Sequence, residues 1–316
     1  MTEPDPILLF AGSGSLRLGG AIARELGIEL GRSETRRFSE GNLFVKVDEN
    51  VRGHDVYLVQ STAFPSNDNF MELLFWIDAF KRASARTITA IMPYFSYAKG
   101  DKKDEPRVSI RARVCADAIE TAGADRVVAM DLHAPQIQGF FRIPVDNLYA
   151  ISVLSERIEE HRRDDLVVVS PDAGYAKQAR RFGSILGCPV AIADKERKKH
   201  DEVDQVWILG DVSGRNAVIV DDFTISAATL VACADELVRR GARSVFAAVT
   251  HGVFTAGSME RIDQSPIDRL IVTDTVENHP VSLSSKVGVV TVAPLFAAAI
   301  ERIHSRQSIS VMFPES

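Results

Sequence analysis

Apolar, β-branched segments recur along the chain and alternate with amphipathic ones. The apolar segments lie at 7–10, 56–60, 87–94, 126–132, 166–172, 190–194, 217–222, 244–251 and 269–275. Segments with helical periodicity lie between most of them, at 16–27, 68–84, 112–123 and 228–241. Near-continuous apolar strands that alternate with amphipathic helices are typical of parallel sheets covered by helices on both faces. We therefore predict an α/β protein with doubly wound, mainly parallel sheets.

The length and the turn near residue 150 predict two domains. A chain of 316 residues is enough for two domains of the usual size, about 100–200 residues each. We place the division at Ala150, after the turn Pro144–Asn147. Residues 1–150, joined by the C-terminal tail 303–316, are expected to form one domain, and residues 151–302 the other. The two domains are expected to have similar folds.

Composition narrows the class of protein. Hydrophobic residues make up 46% and charged residues 25%, as in ordinary globular proteins. No window approaches the roughly 18 apolar residues of a membrane span, and the stretch MTEPDPILLFAGSG lacks the basic and apolar regions of a signal peptide. We therefore expect a cytoplasmic protein without membrane contact. Cys115, Cys188 and Cys233 lie far apart in apolar segments, which predicts core residues rather than a disulfide or zinc site.

Charge is distributed unevenly. The net charge of −6 gives no general attraction to nucleic acid, so no nucleic-acid partner is expected. Basic residues concentrate in two runs, Lys99–Arg107 and Asp194–Lys199. Such runs are usually solvated surface, but clustered lysines and arginines also suit a polyanionic small molecule.

Polar side chains follow several of the predicted strands. They are Asp131, His133, Asp172, Asp194, Asp221, Asp222 and His251. Because the carboxyl ends of the strands form the ligand crevice of open α/β sheets, these side chains are expected to converge on a site in each half.

The stretch Val218–Leu230, VIVDDFTISAATL, carries the most specific chemistry. Asp221 and Asp222 are either solvated loop carboxylates or acceptors for the two ring hydroxyls of a ribose. The small and hydroxylated residues that follow precede a predicted helix, whose N-terminus favours an anion. Backbone N–H groups of this loop are therefore expected to bind a phosphate.

This loop resembles the phosphoribosyl-diphosphate signature of the type I phosphoribosyltransferase fold. Nearly the whole chain is similar to one family, the ribose-phosphate diphosphokinases (phosphoribosyl-diphosphate synthetases). The blocks that carry the resemblance occur in the family's order, at 36–42, 48–62, 67–74, 92–104, 130–150, 168–174, 194–199, 202–212 and 250–254.

The resemblance implies a magnesium-dependent reaction between ATP and ribose 5-phosphate. The β,γ-diphosphoryl group would pass to the 1-hydroxyl of the sugar, with release of AMP. Lys195 and Arg197 match the family's catalytic loop and would stabilise the charge that develops as the α–β bond breaks. The residues implied to bind ribose 5-phosphate are Asp221, Asp222, Ser226, Ala227, Ala228 and Thr229.

The resemblance also implies an ATP site and an oligomer. Phe38 and Glu40 resemble an adenine-binding element that a neighbouring subunit contributes, so a dimer-based homo-oligomer, a hexamer, is expected. Lys99, Asp101 and His133 would bind ATP. His133 and Asp172 would hold the Mg²⁺, which prefers oxygen ligands and keeps several waters.

A regulatory phosphate site is implied as well. Ser308 and Ser310 alternate on a predicted short strand or extended tail, which would place both hydroxyls on one side. In the family a similar serine pair binds orthophosphate or the β-phosphate of ADP at a subunit interface. Arg52 and Arg107 fall where that site has its arginines. Activation by orthophosphate and inhibition by ADP are therefore expected.

Several residues depart from the family pattern. Lys99-Gly100-Asp101 stands where the family has Arg-Gln-Asp, and Ile225 stands where many members have an acid. Ala227 and Ala228 replace glycines of the loop, and Tyr175 replaces a glycine after SPDAG. These departures keep open a catalytically weak regulatory paralogue that associates with an active synthetase. A phosphoribosyltransferase acting on a base would share the loop, but would not explain the MDLH and DKERKK blocks.

Overall fold

The computed structural model describes residues 6–161, 164–199 and 202–312, with only the backbone described at 195–199 and 202–205. The strands are β1 (Leu8–Ala11), β2 (Ser33–Arg37), β3 (Leu43–Val47), β4 (Asp55–Val59), β5 (Thr87–Met92), β6 (Arg126–Met130), β7 (Val145–Leu148), β8 (Leu166–Ser170), β9 (Val190–Lys199), β10 (Glu202–Leu209), β11 (Asn216–Thr224), β12 (Ser244–Gly252), β13 (Ile267–Thr273) and β14 (Val287–Val290). The α-helices are α1 (Leu16–Glu25), α2 (Ser66–Arg82), α3 (Arg111–Ala122), α4 (Ile151–Glu160), α5 (Ala176–Leu186), α6 (Ala228–Arg239), α7 (Ser258–Gln264) and α8 (Ala293–His304).

The chain forms two compact units. The first contains Met1–Tyr149, Thr275–Asn278 and Thr291–Ser316, and the second contains Ala150–Asp274 and His279–Val290. Helix α8 therefore belongs to the first unit, although the sequence analysis assigned residues up to 302 to the second domain. The apolar face of α8 packs against α1, and this tertiary contact has no local signal in the sequence.

The first unit has a five-stranded parallel sheet in the order β1-β4-β5-β6-β7. Its core includes the rings of Phe10, Trp76 and Phe80, whose centroids lie 4.9–5.9 Å apart. Strands β2 and β3 form a separate antiparallel hairpin. The α-helices and parallel strands confirm the predicted α/β class.

A buried carboxylate joins the hairpin to the sheet of the first unit. Glu72, on α2, is 1% exposed and accepts hydrogen bonds from the Ser13 N–H at 2.9 Å, the Trp76 indole at 3.1 Å and the Thr35 hydroxyl at 3.4 Å. Since burying a carboxylate is unfavourable unless its oxygens find donors, these contacts fix α2, the β1–α1 loop and β2 together.

The second unit has a seven-stranded sheet in the order β10-β9-β8-β11-β12-β13-β14. All neighbouring pairs are parallel except β9 and β10. Every residue of β8 is buried, as expected for a strand covered on both faces. The two acids of VIVDDFTISAATL lie at the end of β11, in the middle of this sheet.

The nine apolar segments of the sequence all contain strands. The strands that the pattern did not predict are β2, β3, β7, β10 and β14. β2 has the sequence SETRR with mostly exposed side chains, so hairpin pairing rather than apolar burial makes it a strand.

Cys115 and Cys233 are buried and Cys188 is half-buried, and none of the three forms a disulfide. Burial raises the pKa of the Cys115 thiol to about 11, so that thiol stays protonated at neutral pH. Across the described residues, no helix is both long enough and apolar enough to cross a membrane.

Candidate active site

Two adjacent acids lie at the carboxyl end of β11, between β8 and β12. The Asp222 N–H donates to Asp221 Oδ1 at 3.0 Å, and the Phe223 N–H donates to Asp222 Oδ1 at 2.9 Å. Asp222 is 7% exposed. Both carboxylates are therefore held by the backbone of the strand end, which argues against the alternative of two solvated loop acids.

The electrostatic environment of Asp221 is unfavourable for its own charge. Burial raises the pKa of Asp221 well above its usual range, and the charges of Asp222 and Asp172 raise it further. An excess of negative charge at one strand end is relieved by a cation or by hydroxyl donors. The site is therefore suited to a sugar diol or to a ligand that brings a metal ion.

Asp172 follows β8, the strand next to β11. The Ser170 hydroxyl donates to the Asp172 carbonyl oxygen at 2.6 Å, and Asp172 Oδ1 accepts the N–H of Tyr175 at 3.1 Å. These bonds hold the 170–175 turn at the start of α5. Asp172 and Asp221 thus lie at the same edge of the sheet, as the positions of the polar residues in the sequence predict.

The loop after Asp222 directs its carbonyl groups towards residues 253–261. The Thr224 carbonyl accepts the Val253 N–H at 2.9 Å, and the Ile225 carbonyl accepts the Thr255 N–H at 3.0 Å. The Arg261 guanidinium contacts the Ser226 carbonyl. Because C=O and N–H point in opposite directions across a trans peptide, the N–H groups of the same peptides face away from that segment. These N–H groups lie on the other side of the segment that leads into α6.

Ala227 has a left-handed backbone, with φ +60° and ψ 2°, directly before α6. Its side chain is 1% exposed and packs in the core of the second unit. A non-glycine residue in this conformation costs about 1–2 kcal/mol. Ala228 begins α6 and has no positive φ. The loop therefore keeps the backbone shape that glycine favours, with strain at one of the two alanines.

Lys195 and Arg197 lie on β9, where they pair with Val206 and Val203 of the antiparallel neighbour β10. Their side chains lie outside the described part of the chain. The strand assignment of 195–199 differs from the loop that the sequence resemblance implies.

Ser226 and Thr229 flank the two alanines of the loop before α6, and Thr229 falls in the first turn of that helix.

Phe38 and Glu40 occupy the turn of the β2–β3 hairpin. The Phe38 N–H donates to the Asn42 carbonyl at 2.8 Å, and the Asn42 side chain donates to Glu40 Oε1 at 3.3 Å. The Phe38 ring is 43% exposed and meets the Phe44 ring edge-on at 6.0 Å. The hairpin therefore presents an aromatic ring and a carboxylate at its tip.

Lys99, Asp101 and His133 follow two neighbouring strands of the first unit. A 3₁₀ turn, Ser96–Gly100, comes after β5 and leads to Asp101, and His133 comes after β6. The Leu132 N–H donates to Asn147 Oδ1 at 3.0 Å, which fixes the chain beside His133. No group of three or more His, Cys, Asp or Glu side chains within the described part of the chain is arranged to hold a metal ion.

The serine pair of the C-terminal tail is close, but its backbone differs from the expectation. Residues Ser310–Met312 form a 3₁₀ turn rather than a strand or extended tail, so that prediction is wrong. The Ser308 hydroxyl instead donates to Ser310 Oγ at 2.9 Å and accepts the Ser310 N–H at 3.2 Å. The Met312 N–H donates to the Ile309 carbonyl at 2.9 Å, and this bond closes the turn. The two hydroxyls nevertheless lie side by side.

The arginines assigned to the same site are exposed. Arg52 Nη1 donates to the Ser84 hydroxyl at 3.2 Å. Arg107 has a left-handed backbone with φ +66°.

Arg261 is a loop-supporting residue that the sequence analysis missed. It lies on α7, 35 residues after Ser226, whose carbonyl it contacts. No spacing or motif in the sequence indicates such a contact, because it depends on how α7 packs next to the loop.

Comparison with known proteins gives consistent results. Residues 7–123 match the family described as the N-terminal domain of ribose phosphate pyrophosphokinase, and residues 202–314 match the phosphoribosyl synthetase-associated domain. The chain is 44% identical to the ribose-phosphate pyrophosphokinase of Clostridium tetani over 98% of each chain. It is 46% identical to that of Caldanaerobacter subterraneus over 96% of this chain and 97% of the relative. The crystal structure of phosphoribosylpyrophosphate synthetase from Mycobacterium smegmatis superposes with a TM-score of 0.90 and 38% identity, covering 95% of this chain and 99% of that one.

Proposed function

Because the chain belongs to the ribose-phosphate pyrophosphokinase family, we propose that it makes 5-phosphoribosyl 1-diphosphate and AMP from MgATP and ribose 5-phosphate. The 1-hydroxyl oxygen of the sugar forms a bond to the β-phosphorus of ATP. The bond between the β-phosphorus and the oxygen bridging to the α-phosphate breaks, AMP leaves with that oxygen, and the hydroxyl proton is released. Such a transfer depends mainly on alignment and on stabilisation of charge.

The paired acids and the loop at the end of β11 support the assignment of the sugar site. Asp221 and Asp222 accept the ribose hydroxyls, and the N–H groups of the loop to Thr229 bind the 5-phosphate. The loop carbonyls of residues 224 and 225 are already bonded to residues 253 and 255, at 2.9 and 3.0 Å. The loop is thus oriented before the ligand binds, which lowers the entropy lost on binding.

Lys195 and Arg197 are the proposed catalytic residues. Their cations stabilise the negative charge that develops on the bridging oxygen as AMP leaves. Strand β9 carries both residues, two positions apart along its backbone.

The nucleotide site is proposed for the first unit. Lys99 and Asp101 follow β5, and His133 follows β6, so all three lie at the carboxyl edge of neighbouring strands. Phe38 and Glu40 bind the adenine of an ATP molecule that is held by a neighbouring subunit, since an exposed ring at a hairpin tip is suited to stack on a base. The active enzyme is accordingly a homo-oligomer.

Magnesium is the proposed cofactor, and the residues fit it in chemical type. Burial raises the pKa of Asp221, and the negative charges of Asp222 and Asp172 at the same strand end raise it further. His133 in the first unit and Asp172 in the second are each proposed as a ligand for Mg²⁺, with phosphate oxygens of the substrate as further ligands. When bound, Mg²⁺ neutralises phosphate charge.

The decisive test is AMP formation. The purified protein, with Mg²⁺ and ATP, is assayed by chromatography with and without ribose 5-phosphate. We expect AMP and 5-phosphoribosyl 1-diphosphate in equal amounts, and only when both substrates are present. A protein that forms neither product, but raises the activity of an added active synthetase, would instead be the regulatory paralogue.

A second arm identifies the sugar site. Asp221→Asn is expected to raise the KM for ribose 5-phosphate more than that for ATP, because an amide is a weaker acceptor and carries no charge. Asp235→Asn, which changes an exposed acid of α6, is the matched control. A change confined to the KM for ATP would exclude the paired acids from the sugar site.

A further inference from the structure

Gly100 and Arg111 pack against each other more closely than any other residue at position 100 would allow. A Cβ atom on residue 100 would lie 2.6 Å from Nε, 2.8 Å from Cβ and 3.3 Å from the backbone N of Arg111. Gly100 ends the 3₁₀ turn after β5, and Arg111 is the first residue of α3. The glycine therefore makes room for the arginine side chain, which passes through the space that a side chain at residue 100 would fill.

The guanidinium of Arg111 has no partner among the described side chains. Arg113, two residues further along α3, forms a two-bond ion pair with Asp117 at 2.6 and 3.0 Å. Arg111 is exposed, and within the part of the chain that the structure describes no hydrogen bond or ion pair neutralises its charge. An arginine that is packed at its base and unpaired at its head is available to an anion.

The 3₁₀ turn that faces Arg111 is anchored to α2. The Tyr97 hydroxyl donates to the Asn67 side chain, and the Tyr97 ring meets the Phe70 ring edge-on at 5.7 Å. Burial raises the pKa of Tyr97, and the nearby positive charge of Arg111 opposes that rise. The guanidinium thus lies close to a well-held turn that also carries Lys99.

The position of this pair matches the proposed nucleotide site. β5 and β6 are neighbours in the sheet, with Lys99 following the first and His133 following the second. Ligands of parallel α/β sheets bind outside these strand ends. Arg111 packs against the turn that follows β5, so it lies next to the edge at which an anionic ligand is expected.

We propose that Arg111 binds the phosphate chain of the nucleotide, together with Lys99. The proposal rests on the proposed function, because it takes the ligand of this edge to be ATP. The planar guanidinium binds two phosphate oxygens at once, whereas the lysine at residue 99 supplies only a point charge. The chain thus carries its guanidinium on α3, and Gly100 is the residue that admits it.

The test compares nucleotides of different phosphate number. Affinities of the full-length protein for MgATP, MgADP and AMP are measured by calorimetry. Arg111→Ala is expected to weaken ATP binding by about tenfold or more, since a hydrogen bond to a charged group is typically worth that much, and to weaken AMP binding least. The KM for ribose 5-phosphate should change by less than about twofold, because the substitution removes no contact with the sugar phosphate. Arg24→Ala, which removes an exposed arginine from α1, should change none of these values.

A second variant separates a binding role from a folding role. Gly100→Ala keeps the Arg111 guanidinium but displaces it. Like Arg111→Ala, this variant should therefore weaken the binding of ATP most and the binding of AMP least. Equal weakening of ATP and AMP in both variants, or unchanged ATP affinity in either, would overturn the proposal. Wild-type protein that binds ATP but forms no AMP with ribose 5-phosphate would refute the proposed reaction, while the same binding series would still decide the role of Arg111.

Discussion

The backbone N–H of Asp222 donates to the Oδ1 atom of Asp221 at 3.0 Å, which fixes the Asp221 carboxylate against the backbone at the end of β11. Burial, followed by the charges of Asp222 and Asp172, raises the pKa of Asp221. The folded protein therefore holds a proton at Asp221 more tightly than the unfolded chain does.

The first prediction concerns stability and pH. A carboxyl whose pKa is raised on folding binds its proton more tightly in the folded protein than in the unfolded chain. Its contribution to the free energy of unfolding therefore falls as the pH rises above its unfolded pKa of about 4 towards neutrality. We expect Asp221→Asn to raise the melting temperature at pH 7 to 8, and the gain to disappear near pH 4. Thermal unfolding across this range measures it, with Asp235→Asn as the exposed control. A gain that is constant with pH would contradict the buried-charge explanation.

The second prediction concerns the strained alanine. Ala227→Gly removes left-handed strain of about 1–2 kcal/mol and loses a buried methyl group worth about 0.8 kcal/mol. We therefore expect equal or greater stability, and tighter binding of ribose 5-phosphate. Ala228→Gly, in the first turn of α6, should destabilise by about 0.5–1 kcal/mol instead. Chemical denaturation and sugar binding measure both, and weaker binding in Ala227→Gly would mean that the strain does not oppose the ligand.

The third prediction concerns the basic residues of β9. Lys195→Ala and Arg197→Ala are each expected to lower kcat at least about 10²-fold, because a preorganised charge donor at a reaction centre is worth roughly 3–4 kcal/mol. Steady-state kinetics and a thermal unfolding scan of each variant measure the effect. Near-normal turnover in either folded variant would remove that residue from the mechanism.

The fourth prediction concerns the C-terminal serines. Their hydroxyls lie 2.9 Å apart, and two hydroxyls with the arginines Arg52 and Arg107 can together satisfy a dianion. We expect orthophosphate to raise activity, and Ser308→Ala with Ser310→Ala to reduce this response more than the substrate KM values. Activity that is full without phosphate, and unchanged by it, would make this tail purely structural.

The fold class, the strand-end positions and the paired acids could all be predicted from the sequence, because periodicity and strand–helix order are local properties. The same holds for the family resemblance, which the comparisons confirm. The location of the protein in the cell, the division of domains and the metal stay predictions. The strand β2, with the sequence SETRR, could not be predicted, because its extended conformation is stabilised by pairing with β3 rather than by apolar burial.

Tertiary structure decided what spacing could not. The sequence showed that alanines replace glycines after Asp222, but only the backbone shows that residue 227 alone is left-handed. The sequence shows only that residue 100 is a glycine, whereas the structure shows that Arg111 packs into the space that a side chain at residue 100 would fill. It gave no sign that Arg261 contacts the Ser226 carbonyl. Each of these facts depends on segments distant in sequence being packed together, and a local pattern carries no information about such packing.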